Sequence, residues 1–341
     1  MNEIGDFIPR KRSQNLLIVE GNHEKNIIFR QLFKCFPELN IDMDDIWIYG
    51  TNIYVLYNDI VKEYGEDWNV EDVDLPFVIS KKQYLNQRRY KDDFVNIILV
   101  FDYERHDPNF SEEKIMILQE YFNDMANVGQ LYINYPMIES YQDIECIPDD
   151  NYIDKKVSVT INPGRKYKAL VNNSPIKKII ELPEKMIEIL IEKLFVSEED
   201  GEVCVKELLN LSSDESLKQE IGKELEVISK KNIITVQFQF EDLIRKLNYI
   251  NRNISYWAYL REVFQDLIKM NLKKAVRIQN SPLKNFNNYR DLYNALDLTD
   301  VLKQQNSMSS DFKNGYIWIL NTCLFIVVDY NMNLLINDSK L

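Results

Sequence analysis

Acidic side chains that follow apolar runs are the groups in this chain best placed to do chemistry. In Asn96-Ile97-Ile98-Leu99-Val100-Phe101-Asp102-Tyr103-Glu104, five apolar residues lead into two carboxylates spaced by one residue. Asn15-Leu16-Leu17-Ile18-Val19 leads in the same way into Glu20-Gly21-Asn22-His23-Glu24. If the two runs are parallel neighbours in a sheet, Glu20, Asp102 and Glu104 meet at its edge. Two like charges about 4 Å apart repel by roughly 4 kcal/mol at an effective dielectric near 20. Such a cluster is solvated, partly protonated or bound to a cation. Oxygen donors without thiolate or imidazole favour Mg²⁺ or Mn²⁺, and the chemistry open to them is metal-assisted phosphodiester cleavage.

Within that chemistry, Asp102 and Glu104 are the candidate ligands of one ion, while Glu20 binds a second ion or acts as general acid or base. Glu24, one turn further on, supports that role or is an ordinary helix-start glutamate. Glu139 follows a third apolar run, Gln130 to Asn134, and either completes a second metal position or begins a helix. His23 and His106 are the only histidines and both flank acidic motifs, so each is a candidate for proton transfer or for simple hydrogen bonding.

Positioning these groups needs buried parallel strands. Continuous apolar runs are the pattern of strands covered on both faces, and open α/β sheets bind ligands beyond the strands' carboxyl ends. Residues i and i+2 of a strand share a side, which places Asp102 and Glu104 in one crevice. Gly21 permits a tight turn, Asn22 can cap the next helix, and the four-residue spacing of Ile28, Leu32 and Phe36 predicts a helix from His23 to Phe36. A short strand over Asp45 to Tyr49, a helix over Asn52 to Tyr64 and a helix capped by Ser111 continue the alternation. Beyond Leu182 the patterns are mainly helical.

The stretches LLIVEGNHEK (16–25) and ILVFDYERHDP (98–108) resemble the TOPRIM family, which pairs a strand-end Glu with a later strand-end Asp-x-Asp to hold Mg²⁺ for phosphodiester chemistry. With GQLYINYPMIES (129–140), the chain is similar to stand-alone TOPRIM effectors of bacterial anti-phage systems, such as that of the PARIS system, encoded beside an ATPase. Glu104 stands where the family usually has its second Asp. The resemblance covers about the first 150 residues. It implies a Rossmann-like parallel sheet flanked by helices, a partner ATPase and a homodimer.

Composition sets the limits. Of 341 residues, 45% are hydrophobic, with only 9 Gly and 10 Pro, which is the composition of a folded chain. The length suits two domains, read as a catalytic domain at 1–150, a basic linker at 151–180 and a mainly helical domain at 181–341 for dimer or partner contacts. Cys35, Cys146, Cys204 and Cys323 form no CxxC pair, so neither zinc nor a disulfide framework is implied, and the setting is a reduced cytoplasm. The start of the chain has no apolar signal core. The most apolar window, 316–328, is interrupted by Asn321 and Thr322 and falls short of the ~20 residues of a membrane helix, so it is expected to be core or interface.

The formal charge of −13 opposes a simple nucleic-acid grip. Basic residues nevertheless cluster. Lys81, Lys82, Arg88, Arg89 and Lys91 are interleaved with Tyr84 and Tyr90, and read as a solvated helix face or as a phosphate contact. Arg165, Lys166 and Lys168 belong to a stretch, 154–178, with seven basic residues and one acid. Six more lie between Leu267 and Arg290 without an acid. Aromatics beside cations suit unpaired bases, so RNA such as tRNA is preferred over DNA. The expectation is therefore an endonuclease acting as the toxic arm of an abortive-infection system; the rival is a non-catalytic interaction subunit.

Overall fold

The structure, a computed structural model, describes residues 13–83, 88–161, 163–213, 217–229, 233–279 and 286–335. The two apolar runs are its central strands. β1 (Ser13–Val19) and β3 (Phe94–Asp102) pair in parallel with Val19 opposite Val100. β2 (Ile46–Ile48) flanks β1, and β5 (Gly129–Asn134) flanks β3, both also parallel. A two-residue β4 (Asn123–Asp124), not anticipated in the sequence, runs antiparallel to β5 at the edge. The order β2-β1-β3-β5-β4 puts a topological switch between β1 and β3, because the chain leaves β1 in one direction and returns on its other side. Ligands of open α/β sheets bind at such a point. Leu16 to Val19 are fully buried, as two covered faces demand.

Helices α1 (Arg30–Cys35), α2 (Ile53–Tyr64), α3 (Leu75–Lys82) and α4 (Glu112–Tyr121) link the strands. Three begin on a side-chain cap: Asn52 accepts from the Val55 N–H, Asp74 from Phe77 and Ser111 from Lys114. The helix expected over 23–36 is present from residue 22 to Cys35, but it is wound as a π-helix over Glu24–Phe29 before continuing as α1.

The second half adds α5 (Lys168–Val171), α6 (Pro175–Ile180), α7 (Leu182–Leu194), α8 (Glu198–Leu209), α9 (Leu217–Ile228), α10 (Ile234–Leu247), α11 (Tyr256–Ile278), α12 (Tyr289–Asn294), α13 (Leu298–Ser309) and α14 (Ile326–Tyr330). The protein is thus an α/β protein with a mostly parallel central sheet flanked by helices, compatible with a Rossmann-like fold.

Two boundary expectations change. Residues 151–180 are not a linker: β6 (Lys156–Ser158) pairs with β7 (Tyr316–Trp318), and Tyr152, Tyr167 and Ile176 are buried. Residues 181–341 do not stand apart either, because the chain's last third folds back onto the sheet. Tyr103 Oη meets Asn306 Oδ1 at 2.7 Å, and Thr322 Oγ1 donates to the Ile133 carbonyl at 2.9 Å. One continuous apolar core therefore joins both halves. The 316–328 window is core, and among the described residues no helix is long and apolar enough to cross a membrane.

The hinge of this union is Lys274 on α11, fully buried with Nζ donating to the carbonyls of Tyr152 and Lys155, each at 2.7 Å. Burial pulls its pKa down to about 6, so at neutral pH the neutral amine makes both bonds. Between pH 6 and the ordinary lysine value of 10.5 the unfolded chain binds the extra proton, so this group's contribution to stability rises with pH across that window. Lys274→Met is expected to be less stable than wild type, because one buried and one part-buried carbonyl lose their donor. The deficit should be wider at pH 9 than at pH 6, as read by urea denaturation at both.

Candidate functional site

The ends of β1 and β3 and the segment after β5 bring five carboxylates, those of Glu20, Glu24, Asp102, Glu104 and Glu139, within electrostatic reach of one another. Hydrogen bonds from Tyr49 N–H to the Val19 carbonyl (2.8 Å) and from Gly50 N–H to the Glu20 carbonyl (2.9 Å) carry the β1–β2 pairing past the strand and fix the Glu20 backbone. The Glu20 carboxylate accepts from the Asp102 backbone N–H. Asp102, the last residue of β3, accepts through Oδ1 from the Ile138 N–H at 2.8 Å, which ties β3 to the segment carrying Glu139. Asn321 holds that segment from the far side by donating to the Ile138 carbonyl at 2.8 Å. The polar interruption of the 316–328 window thus serves the site.

Glu24 lies close against Gly21: a Cβ at residue 21 would stand 3.0 Å from Glu24 Oε2, so a side chain there would shift the carboxylate by a few tenths of an ångström. Glu24, Asp102 and Glu139 are 8%, 6% and 3% exposed, which makes their charges expensive to hold. Glu20 Oε2, Glu24 Oε2 and Glu139 Oε2 are buried without a hydrogen-bond partner.

Electrostatics follow from this crowding. Burial, then the charges of Glu104 and Glu24, push Glu20 up to about 8, against the Asp102 amide and the Lys168 ammonium. Burial and the charges of Glu20, Glu24, Glu139 and Glu104 hold Asp102 well above the usual carboxylate range. Glu104 is raised by burial and by Asp107, opposed by a hydrogen bond from Asn52 and by Lys168. One cation already serves the cluster: Lys168 Nζ lies 2.8 Å from Glu139 Oε1. Burial works against its charge, but Glu139, Asp102 and Glu24 outweigh it and raise its pKa. His23 Nε2 sits 3.4 Å from the same Glu139 oxygen.

Several expected roles are relocated. Glu104 does not share a strand face with Asp102, because β3 ends at Asp102 and Glu104 has a left-handed φ of 41°. It enters the cluster from a turn, beside Asn52 and Asp107. His106 is exposed on that turn and makes no contact with the carboxylates, whereas His23 does. Lys168, expected on nucleic acid, lies among the acids.

The cluster at 81–91 is largely neutralised within the protein. Lys81 pairs with Glu63 at 2.6 Å, Lys82 with Asp59 at 2.8 Å, Arg89 with Asp93 at 3.0 Å and Lys91 with Asp72, while Arg88 donates to the Ser80 carbonyl. Tyr84 lies outside the described residues. Arg165 and Lys166 are exposed ahead of α5. Between Leu267 and Arg290, Lys274 is buried and Arg277 pairs with Asp154 at 2.6 Å.

An all-oxygen donor set with orphaned, buried carboxylate oxygens fits a hard divalent ion in its chemistry. Among the described residues, however, no three acidic, imidazole or thiol groups already stand together as a metal cage. Fold and site together define an α/β protein with an acidic cluster at its switch point. No protein-family profile, curated protein or solved structure matches the chain.

The raised Glu20 pKa has a measurable cost. The folded state keeps a proton that the unfolded chain has released between the ordinary 4.5 and about 8, so stability from this group falls as pH rises through that window. In buffer containing EDTA, Glu20→Gln is expected to flatten that decline and to melt a few degrees above wild type at pH 8. Differential scanning calorimetry at pH 5 and pH 8 checks it; a wild-type slope unchanged by the substitution rules out the crowding.

Proposed function

We propose that the chain is a Mg²⁺- or Mn²⁺-dependent phosphodiesterase of the TOPRIM type, cutting single-stranded nucleic acid, RNA before DNA. The observation that supports this reading is the gathering of Glu20, Asp102, Glu24, Glu104 and Glu139 around buried carboxylate oxygens that lack a partner. Asp102 and Glu104 would hold the ion, with Glu139 or Glu24 completing its surroundings. A bound divalent ion would neutralise a phosphate oxygen and lower the barrier to its displacement.

The chain's own groups supply the rest. The high pKa of Glu20 keeps a proton on its carboxyl near neutral pH, where it serves as a general acid. Lys168 brings a fixed positive charge to the crevice mouth, and His23 is the imidazole placed to move a proton there. Control by a partner ATPase, homodimer formation and a role as the toxic arm of an abortive-infection system belong to the same proposal and follow from the resemblance alone.

A second reading has its own observation. Lys168 already pairs with Glu139, so the cluster can be a structural feature of a non-catalytic interaction subunit. Incubation of the purified protein with labelled single-stranded RNA or DNA separates the two. The enzyme reading expects cleavage with Mn²⁺ or Mg²⁺, none with EDTA, and a rate at least about 100-fold lower in Asp102→Asn. His23→Ala should be slowed and His106→Ala should match wild type. Inert protein with either ion favours the interaction subunit.

A further inference from the structure

Beside the crevice, α6, α7 and α10 line a cleft of about 1130 Å³, and His23 forms part of its wall. A half-open cleft of this size has room for a segment of polymer. Its charge differs from the rest of the surface. Lys178 and Lys185 are exposed in it without an ion-pair partner among the described residues, in contrast to the internally paired cations at 81–91. Lys246 adds a third ammonium, bound to Asp242 only through a solvated pair on the same helix.

Of the three acids lining the cleft, Glu181 lies 3.7 Å from Lys177, Glu184 is bound by the Gln31 amide and Glu188 is exposed, so the lining sets four ammonium groups, those of Lys177, Lys178, Lys185 and Lys246, against three carboxylates. Leu243 and Leu247 supply apolar wall, and Tyr259 an aromatic ring. Ammonium groups above apolar and aromatic wall match a strand with phosphates on one edge and unpaired bases on the other. A duplex hides its base faces and cannot use that wall.

We infer that this cleft is the binding groove for single-stranded nucleic acid, with phosphates on Lys178, Lys185 and Lys246 and bases against Leu243, Leu247 and Tyr259, leading past His23 to the carboxylates. The inference rests on the phosphodiesterase reading for its purpose, but not for its test. His23 joins the two regions, since it lines the cleft and stands 3.4 Å from Glu139.

Fluorescence anisotropy of a labelled oligouridine with the full chain in EDTA reads binding without cleavage. Wild type should bind the single strand in preference to a duplex of the same length. The triple variant Lys178→Glu, Lys185→Glu, Lys246→Glu should bind at least about tenfold more weakly, with the slope of log K against log salt shallower by roughly 2, for three lost phosphate contacts. A control variant of equal net charge, Lys206→Glu, Lys223→Glu, Lys313→Glu, alters exposed lysines outside the cleft and should bind as wild type.

Equal losses in both variants, no loss in either, no binding by wild type, or preference for duplex would overturn the groove. Lysine-dependent binding by a protein that never cleaves would keep the groove and remove the phosphodiesterase reading. Cleavage indifferent to the cleft variant would do the reverse.

Discussion

Repulsion among buried carboxylates is the constraint around which this structure is arranged. Glu20, Asp102 and Glu104 sit where two parallel strands end, and Glu24 and Glu139 are drawn in beside them. Water would screen such a group on an open surface, but here Asp102 and Glu139 are almost fully covered. The protein answers with proton retention, with the Lys168 ammonium and with amide donors from Asp102 and Ile138. Each answer is partial, since buried carboxylate oxygens still lack partners. A site that holds charge at this cost is the kind at which function concentrates.

The cost is borne by packing elsewhere. Asn321 and Thr322 lie in the most apolar stretch of the chain, yet both are buried and both bond to the end of β5 or to the segment after it. Lys274 does the same for the segment around Tyr152 and Lys155. These polar groups pin backbone that the sheet cannot hold by its own ladder, and the part held by Asn321 carries Glu139. Burying a polar group without a partner costs about 1–3 kcal/mol, so each of these contacts also specifies one arrangement.

The distribution of positive charge follows the same economy. Cations at 81–91 are consumed by neighbouring acids, and Lys168 by Glu139, which leaves the cleft beside His23 as a place where ammonium groups face open space. In a chain with a formal charge of −13, local placement rather than total charge decides where an anion can bind.

Apolar continuity and capping chemistry made much of the sheet readable in advance. The runs at 15–19 and 96–101, the helix start at Asn52 and the Ser111 cap depend on neighbours in the chain, and they stand as the sequence implied. The juxtaposition of Glu20 with Asp102 was readable for the same reason, because strand ends in a parallel sheet share an edge. Other features depend on partners far away in sequence, and no local pattern encodes those. The pairing of β6 with β7 joins residues 156–158 to 316–318, and the left-handed turn at Glu104 broke the expected alternation. Lys168 carries no sequence mark of belonging among the acids, and that His23 rather than His106 stands beside Glu139 depends on packing between distant segments. Local patterns determined which strands formed and where they ended; long-range packing decided which charges would have to face one another there.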